Sequence, residues 1–549
     1  MACNRSQGTS VPMTAAVIGT EVPFTLLQAI ADLSEEALRR GLSHLQATEF
    51  LYETSLFPEH VYTFKHALTQ EVAYSSLLQE RRRALHAHIV AALEALAGDR
   101  LTEPVARLAH HALRGEVWDK AFHYLQQAGA NAATRSAYHE AVAYLEQALT
   151  ALAHLPETHH TREQAVDLRL ALRSALLPSR DHGRILAYLR EAEACAAALD
   201  DPRRLGQVFM FQAVDCYYRG IYDQAIAACQ RALALATAGG NVGLHALAHQ
   251  YLGVVYYFQG NYHQAIDCAR QAVTSLEGVR GYERFGFFLP IVVSYLFLAW
   301  GYAELGLFAE GRALCEKGLQ IAEAVAHAAS IMLASWGFGV LYLRQGALAE
   351  ALPQLERAMG ICHEADLPAF FPRIASTLSV AYSLAGCVAE AVPLFTQASA
   401  KEHTTAREGE LAGFQTLYHL ALGEAHLRAG HLEEAYDLAE RALALACAHQ
   451  ERGHQAYALR LLGEIAAHRV PLEVEFAEAH YRQSQGLAEA LGMRPLQAHC
   501  HRGLGTLYAT TGQHEQARTA LSTAIEMYRA MEMTFWLPET EAALAQVSG

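Results

Sequence analysis

A lysine directly after glycine, or glycines in a Gly-x-Gly spacing, could support nucleotide chemistry. A phosphate-binding loop needs a Gly-Lys step, because backbone amides hold the phosphates while the lysine reaches them. The chain has four lysines, and each follows a residue other than glycine: Lys65, Lys120, Lys317 and Lys401. Gly337-x-Gly339 and Gly503-x-Gly505 match the first part of a dinucleotide-binding turn, but both lack its third glycine and fall within predicted helices. We interpret these glycines as helix-packing positions.

Histidines and cysteines could bind a metal, but their spacing does not favour it. His499-Cys500-His501 and His110-His111 are adjacent or alternate residues, whose side chains point apart on a helix. The ten cysteines include no Cys-x-x-Cys pair, so neither a zinc ribbon nor a disulfide framework is indicated. The sequence also lacks a Gly-x-Ser-x-Gly elbow. We therefore predict no catalytic residues, no metal site and no cofactor, and a chain that is not an enzyme.

A recurring turn indicates the architecture that positions the other residues. Glycine begins the turn and alanine, or once glycine, follows five residues later: Gly220/Ala225, Gly260/Ala265, Gly306/Gly311, Gly346/Ala351, Gly386/Ala391, Gly430/Ala435 and Gly512/Ala517. The intervals between the glycines are 40 to 46 residues, except the last, which is 82 residues, or two units of 41. Self-similarity at this period indicates stacked units that each pack on their neighbours.

The residues around each turn glycine identify the unit as a pair of antiparallel helices. Leu252, Gly253 and Tyr256 precede Gly260 by eight, seven and four residues, and Ala272 follows it by twelve. These spacings place each set on one face of a helix, where small residues allow close approach. The pattern resembles the tetratricopeptide repeat, although these units are about seven residues longer. The resemblance implies an all-α, right-handed superhelical solenoid of TPR-like helix pairs about 41 residues long.

The first hundred residues differ from the repeats. A helix capped at Ser34 and two β-like segments, at 50–52 and 61–64, predict a small winged-helix-like module of three helices and a ribbon. This stretch resembles the linker of bacterial signal-transduction ATPases with numerous domains (STAND), in which it joins an AAA-type ATPase domain to a repeat array. Larger members of that group carry a class III adenylate or guanylate cyclase domain in front.

The C-terminal end of the chain resembles the same group of ATPases as the N-terminal module does. Leu504-Gly505-x-Leu507-Tyr508 and Met533-Thr534-Phe535-Trp536-Leu537 resemble the C-terminus of the same ATPases. No residue matches the motifs of the ATPase or cyclase domains, so their activities are not carried over. We predict a disordered terminus at 1–15, a winged-helix-like linker at 16–97, transitional TPR-like helices at 98–160 and a TPR-like solenoid at 161–549.

The resemblance implies a non-catalytic scaffold that senses a ligand or binds a protein. Its partners would be a protein, a peptide or a small-molecule inducer, with an AAA ATPase or a nucleotidyl cyclase domain in cis or in trans. The inner groove of the superhelix would be lined by helix A of each pair, here by Tyr217, Tyr257, Trp300, Trp336, Arg344, Arg373, Glu424 and Arg428. These residues predict an apolar centre with polar flanks, unless the longer repeats shift the register and bury the aromatic residues. His66 is a candidate contact to a nucleotide-binding domain, with a structural histidine as the alternative.

Net charge and hydropathy indicate whether the chain binds nucleic acid or a membrane. The alternative function is a winged-helix DNA-binding regulator with a TPR sensor, but residues 16–97 have six Arg/Lys against ten Asp/Glu, a net charge of −4. The whole chain carries a net charge of −15, so no nucleic-acid partner is expected. Residues 285–303 and 324–343 are uncharged and long enough to span a bilayer, yet they keep the repeat register. We interpret them as buried solenoid helices of a cytoplasmic protein with no membrane partner.

Overall fold

The computed structural model describes residues 10–55, 59–97, 105–135, 137–177, 179, 181–277, 288–405 and 412–548. Over these residues the chain forms 27 α-helices and three short strands. The chain separates into two compact units, Met1–Asp200 and Asp201–Gly549. The predicted all-α array of helix pairs is confirmed.

The first unit begins with a small module of helices and strands. Its elements are α1 (Ser10–Ile18), β1 (Glu21–Pro23), α2 (Phe24–Ile30), α3 (Glu35–Ala47), β2 (Leu51–Ser55) and β3 (Val61–Phe64). The strands form an antiparallel sheet in the order β1-β3-β2, with Val22 opposite Tyr62 and Tyr52 opposite Thr63. The Ser34 side chain accepts a hydrogen bond from the Ala37 amide at the start of α3.

Two features of this module differ from the sequence expectation. The sequence predicts disorder for residues 1–15, but helix α1 begins at Ser10; residues 1–9 lie outside the described residues. Strand β1 was not anticipated. Its three residues are too few for an alternating pattern to stand out, and Val22 is the member that is fully buried.

The rest of the first unit is helical and lies within residues 67–198. The helices are α4 (Ala67–Ser75), α5 (Gln79–Ala97), α6 (Val105–Arg114), α7 (Trp118–Thr134), α8 (Tyr138–Leu152), α9 (His159–Leu176) and α10 (His182–Ala198). Helices α7 and α8 pack directly on each other. Their interface uses Gly129, where a side-chain Cβ would lie 2.8 Å from Leu145 Cγ.

The second unit consists of eight helix pairs, numbered here repeats 1 to 8, and a final helix. The pairs are α11 (Pro202–Tyr218) with α12 (Tyr222–Gly239), α13 (Val242–Gln259) with α14 (Tyr262–Glu277), α15 (Pro290–Glu304) with α16 (Phe308–Ala324), α17 (Ala328–Gln345) with α18 (Leu348–Glu364), α19 (Phe371–Leu384) with α20 (Val388–Thr405), α21 (Ala412–Arg428) with α22 (Leu432–Ala448), α23 (Arg452–His468) with α24 (Val474–Leu491), and α25 (Arg494–Thr510) with α26 (His514–Ala530). Helix α27 (Leu537–Ser548) follows repeat 8.

The two uncharged stretches of the sequence supply most of α15 and α17, and residues 285–287 lie outside the described residues. Both helices are buried along most of their length. Gly337 allows this packing, because a Cβ there would clash with Leu296 of α15. Among the described residues, no helix is both long and apolar enough to cross a membrane.

The turn glycines have a second structural role besides ending helix A. All seven adopt positive φ angles, between 70° and 83°, which glycine reaches without strain. In repeats 3 and 4 they also face the end of the array. A Cβ on Gly306 would lie 2.5 Å from Met531 Sδ, and one on Gly346 would lie 2.7 Å from Phe535 Cβ. At Gly512 nothing lies within 4 Å.

The early repeats therefore contact the late ones, which corrects the expectation that each repeat packs on its neighbours alone. The Tyr222 hydroxyl of repeat 1 donates a hydrogen bond to Glu451 at the start of repeat 7, at 2.7 Å. The Tyr262 hydroxyl of repeat 2 lies 3.7 Å from Met493 Sδ before repeat 8. The glycine period predicts the stacking of successive pairs, but it carries no information about such contacts more than 200 residues apart.

We predict that Gly346→Ala destabilises the second unit more than Gly512→Ala does. Both substitutions place alanine at a positive φ, which costs about 1–2 kcal/mol. At Gly346 the new methyl group also overlaps Phe535, which adds about 1–3 kcal/mol. Urea unfolding of the two variants measures the difference, and equal losses would contradict the contact between repeat 4 and the end of the array.

Candidate ligand cavity

A cavity lies where A helices of the second unit converge. Its first part, the apolar chamber, has a volume of about 170 Å³. Helices α15, α17, α19 and α21 supply its apolar wall: Trp300, Trp336, Val340, Leu343, Val380, Leu384, Leu417, Leu420, Ala421 and Leu427. Thr377 contributes a hydroxyl, and Trp536 lies at the wall from the segment before α27. An apolar pocket with few polar groups is the usual form of a small-molecule site.

The two tryptophans that line this chamber are fixed by hydrogen bonds. Trp300 Nε1 donates to the Gly337 carbonyl oxygen at 3.0 Å, and Trp336 Nε1 donates to Thr377 Oγ1 at 3.2 Å. The two rings meet edge to face, with centroids 5.3 Å apart. Both indoles are buried with their polar atoms satisfied, so they are rigid parts of the wall.

A second part, the polar chamber, adjoins the first and has a volume of about 310 Å³. Tyr481, Thr506, Thr510 and Thr540 are among its lining residues, and each threonine hydroxyl donates to the carbonyl oxygen four residues earlier. Five residues line both chambers and define the boundary cluster: Arg428, Arg460, Glu464, His499 and Arg502. They come from α21, α23 and α25, the A helices of repeats 6, 7 and 8.

Arg460 is the fully paired cation of the boundary cluster. Its guanidinium contacts the carboxylates of Glu424 and Glu464. The Glu464 side chain is only 16% exposed, and burial alone would raise its pKa. Arg460, Arg502 and Arg428 outweigh burial and lower the pKa of Glu464 to about 2. These arginines therefore keep Glu464 ionised in spite of its burial.

The other side chains of the boundary cluster are less tightly held. Arg502 lies 3.1 Å from Glu539, whose side chain is 80% exposed, and the Arg502 guanidinium stacks over Trp536. Burial, together with Arg502 and Arg460, lowers the pKa of His499 well below its usual value, so this imidazole is neutral at pH 7. Its Nδ1 atom lies 2.8 Å from the Tyr528 hydroxyl. Arg428 is exposed and has no hydrogen bond or ion pair within the described part of the chain.

A buried carboxylate next to the apolar chamber joins four repeats. Glu304 of repeat 3 accepts hydrogen bonds from the hydroxyls of Tyr257, at 3.0 Å, and Tyr457, at 2.9 Å. Arg344 forms an ion pair with the same carboxylate. These partners belong to repeats 2, 7 and 4. The four residues, here called the Glu304 cluster, connect helices on opposite sides of the array.

The structure divides the predicted groove residues into two groups. Trp300, Trp336, Arg344, Glu424 and Arg428 line the apolar chamber. Tyr217, Tyr257 and Arg373 are buried away from it: Tyr217 packs on Tyr251 and Phe258, Tyr257 belongs to the Glu304 cluster, and the Arg373 guanidinium lies 4.4 Å from the centroid of the Phe414 ring. Replacing a buried tryptophan with alanine costs about 3–5 kcal/mol, so such variants test folding as much as binding.

The boundary cluster includes functional candidates that sequence reasoning missed. Arg460 belongs to repeat 7, whose helix A is followed by a turn at 469–473 with no glycine, so the register was lost there. Arg502 could have been found, because it precedes Gly512 by ten residues as Trp336 precedes Gly346. Glu304 could have been found in the same way, because it precedes Gly306 by two residues, as the predicted groove residues Arg344 and Arg428 precede Gly346 and Gly430.

The histidines considered in the sequence take different positions in the first unit. His66 is exposed at the N-terminal boundary of α4, and its side chain makes no capping hydrogen bond there. His111 is buried, with its Nδ1 atom 2.9 Å from His86 Nδ1. Burial is the largest cause that lowers the pKa of His86 to about 4 and that of His111 to about 3. Within the described residues, no group of three or more His, Cys, Asp or Glu side chains is arranged to hold a metal ion.

Comparisons with known proteins identify part of the array. The tetratricopeptide repeat model matches residues 205–277, which cover most of repeats 1 and 2, and a second model of the same repeat matches residues 503–531 in repeat 8. An uncharacterised protein of Rhizobium meliloti (strain 1021) is 32% identical over 169 residues. The match covers 31% of this chain and 16% of that relative, so the chain accounts for about a sixth of its length.

Solved structures with similar helix arrangements include a Rap protein in complex with competence and sporulation factor. It has 17% identity and a TM-score of 0.49, over 71% of this chain and 99% of that one. Another is a STAND protein with a tetratricopeptide repeat sensor from Pyrococcus horikoshii, with 14% identity and a TM-score of 0.40, over 72% of this chain and 63% of that one.

The ionised state of Glu464 leads to a pH-dependent prediction. Because its folded-state pKa is lowered, its contribution to stability is present above about pH 4.5 and is lost as the pH falls towards 2. We expect Glu464→Gln to lower the melting temperature at pH 7 and to have a diminishing effect as the pH falls through this range. Calorimetry of both proteins measures this difference. The exposed Glu526→Gln is the control, and a pH-independent effect of Glu464→Gln would contradict the assignment.

Proposed function

We propose that this chain is a non-catalytic scaffold that senses a ligand in the cavity of its second unit and passes the signal on through protein contacts. The observation that carries the proposal is the origin of the cavity wall. Helices α15 and α17 come from the first half of the unit, and α23 and α25 from its last two repeats. A molecule bound between them contacts both halves, so its binding energy stabilises the closed arrangement of the array over any opened one.

The wider system that we propose is a STAND-type signalling protein of the cytoplasm. The support comes from the first unit, in which helix, strand, helix, helix, strand and strand follow each other, with an antiparallel sheet in the order β1-β3-β2. This order suits the winged-helix linker of the STAND resemblance. His66, exposed at the start of α4, is our candidate contact to an AAA ATPase or nucleotidyl cyclase domain in cis or in trans. Reading the coding sequence ahead of residue 1 tests this part: a Gly-x-x-x-x-Gly-Lys-Ser/Thr motif in the same frame is the expected result.

The alternative function, DNA binding through the winged helix, lacks a supporting observation. Helix α3 would have to present free cations to a phosphate backbone. Arg39 instead forms an ion pair with Glu35 of the same helix, and Arg40 donates a hydrogen bond to the Glu36 carbonyl oxygen. We therefore argue the sensing function alone.

Ligand access to the apolar chamber is tested with 2-phenylethanol, a neutral probe that needs no charged partner. We expect saturation-transfer NMR signals from the probe with the wild-type chain and their loss in Ala421→Phe, which fills the chamber. The exposed Ala444→Phe on α22 is the matched control and should keep the signals. Bound probe should also slow amide exchange in α23 and α25. The absence of signals with the wild type, or their persistence in Ala421→Phe at unchanged circular dichroism, would contradict the proposal.

A further inference from the structure

The boundary cluster lies where an apolar surface meets a polar one. On one side is the apolar chamber with Trp336, Val340 and Leu417, and on the other are the hydroxyl groups of the polar chamber. A ligand that extends across this boundary has an apolar body and a polar head. The volume of the apolar chamber, about 170 Å³, limits the body to one small ring or a short branched chain, since an engineered cavity of about 150 Å³ holds benzene.

The charges of the boundary cluster decide the chemistry of the polar head. Arg460 is neutralised by Glu424 and Glu464. Arg428 has neither a hydrogen bond nor an ion pair in the described part of the chain, and the partner of Arg502 is a largely solvated carboxylate. Two guanidinium groups at the boundary therefore have donors available for an anion. Arginine prefers carboxylate and phosphate because its donors are arranged as a planar fork.

The surroundings agree with an anionic head. Arg460, Arg502 and Arg428 each lower the pKa of Glu464, so all three guanidinium groups lie close enough to act on a carboxylate at the boundary. The bulk composition does not account for this, since the chain as a whole carries a net charge of −15. The polar chamber adds the Tyr481 hydroxyl and one further basic residue, His468, while the Thr506 hydroxyl already donates to the Arg502 carbonyl oxygen. That supply of donors suits one carboxylate better than a polyphosphate.

We propose that the boundary cluster binds the carboxylate of a small organic acid through Arg428 and Arg502, with the apolar body of the acid in the apolar chamber. This inference rests on the proposed sensing function and specifies its ligand class. Arg428 is the last residue of α21, where a cation also complements the helix dipole. If Arg428 only stabilised the end of α21, replacing it would lower the stability of the fold and leave ligand selectivity unchanged. Ligand selectivity therefore distinguishes this role from anion binding.

Three compounds with the same apolar body test the proposal on the full chain by isothermal titration calorimetry: 3-phenylpropionate, 3-phenylpropanamide and 3-phenylpropylammonium. A charge-assisted hydrogen bond predicts that the carboxylate binds about 10- to 100-fold more tightly than the amide, and that the ammonium binds most weakly. In Arg428→Gln the carboxylate should lose about 10-fold in affinity while the amide is unaffected. Arg441→Gln, an exposed arginine of α22 outside both chambers, is the matched control and should change neither affinity.

Each contrary outcome has a distinct meaning. If the amide binds as tightly as the carboxylate, or if Arg428→Gln leaves the selectivity unchanged, the anion site is overturned while a cavity that binds 2-phenylethanol keeps the sensing function intact. If acetyl-Ala-Ala-Phe with a free C-terminus binds at least 10-fold more tightly than 3-phenylpropionate, the ligand is a peptide and the small-acid proposal fails. If neither 2-phenylethanol nor any acid binds, the proposed function fails with it.

Discussion

The Glu304 carboxylate is the group on which the arrangement of the second unit depends. A buried charge is stable only when it is paired and hydrogen-bonded, and removing one partner of such a pair costs about 3–5 kcal/mol. Glu304 satisfies this requirement with Arg344 and with the hydroxyls of Tyr257 and Tyr457. Its partners lie in repeats 2, 4 and 7, so an opened array would leave the carboxylate short of a donor. The cost of burying this charge thus favours a closed arrangement.

Closure in turn creates the cavity. The apolar residues of α15, α17, α19 and α21 form one wall, and the late repeats bring Arg460 and Arg502 against it. Arg460 and Glu464 stay paired with each other, because a buried charge without a partner is costly. The cavity lies where these charged side chains meet the apolar wall. In this account, the same contacts that stabilise the array also provide its binding site.

The periodicity of the sequence is sufficient to predict the local architecture, which is a series of helix pairs. Gly260 and its neighbours at fixed spacings specify a helix, a turn and a second helix, because these preferences act within about 40 residues. The same register placed Trp300, Trp336 and Arg428 on the A helices, and it applies equally to Arg502. It could not place Tyr457 beside Glu304, since a hydrogen bond across 153 residues leaves no periodic signal. Tyr217 packs on Tyr251 and Phe258 of the adjacent repeat, whereas Trp336 lines the cavity, and the periodic pattern does not distinguish these two environments.

The closed arrangement is tested most directly by a double-mutant cycle on Glu304→Gln and Tyr457→Phe in the full chain. Two residues in repeats 3 and 7 of an extended array do not contact each other, so the effects of the two substitutions would add. We expect a coupling energy of about 1 kcal/mol or more in urea unfolding, because Glu304→Gln removes the charge of the acceptor and Tyr457→Phe removes the hydroxyl donor of the same hydrogen bond. Additive effects, with a coupling energy near zero, would contradict the closure and with it the cavity.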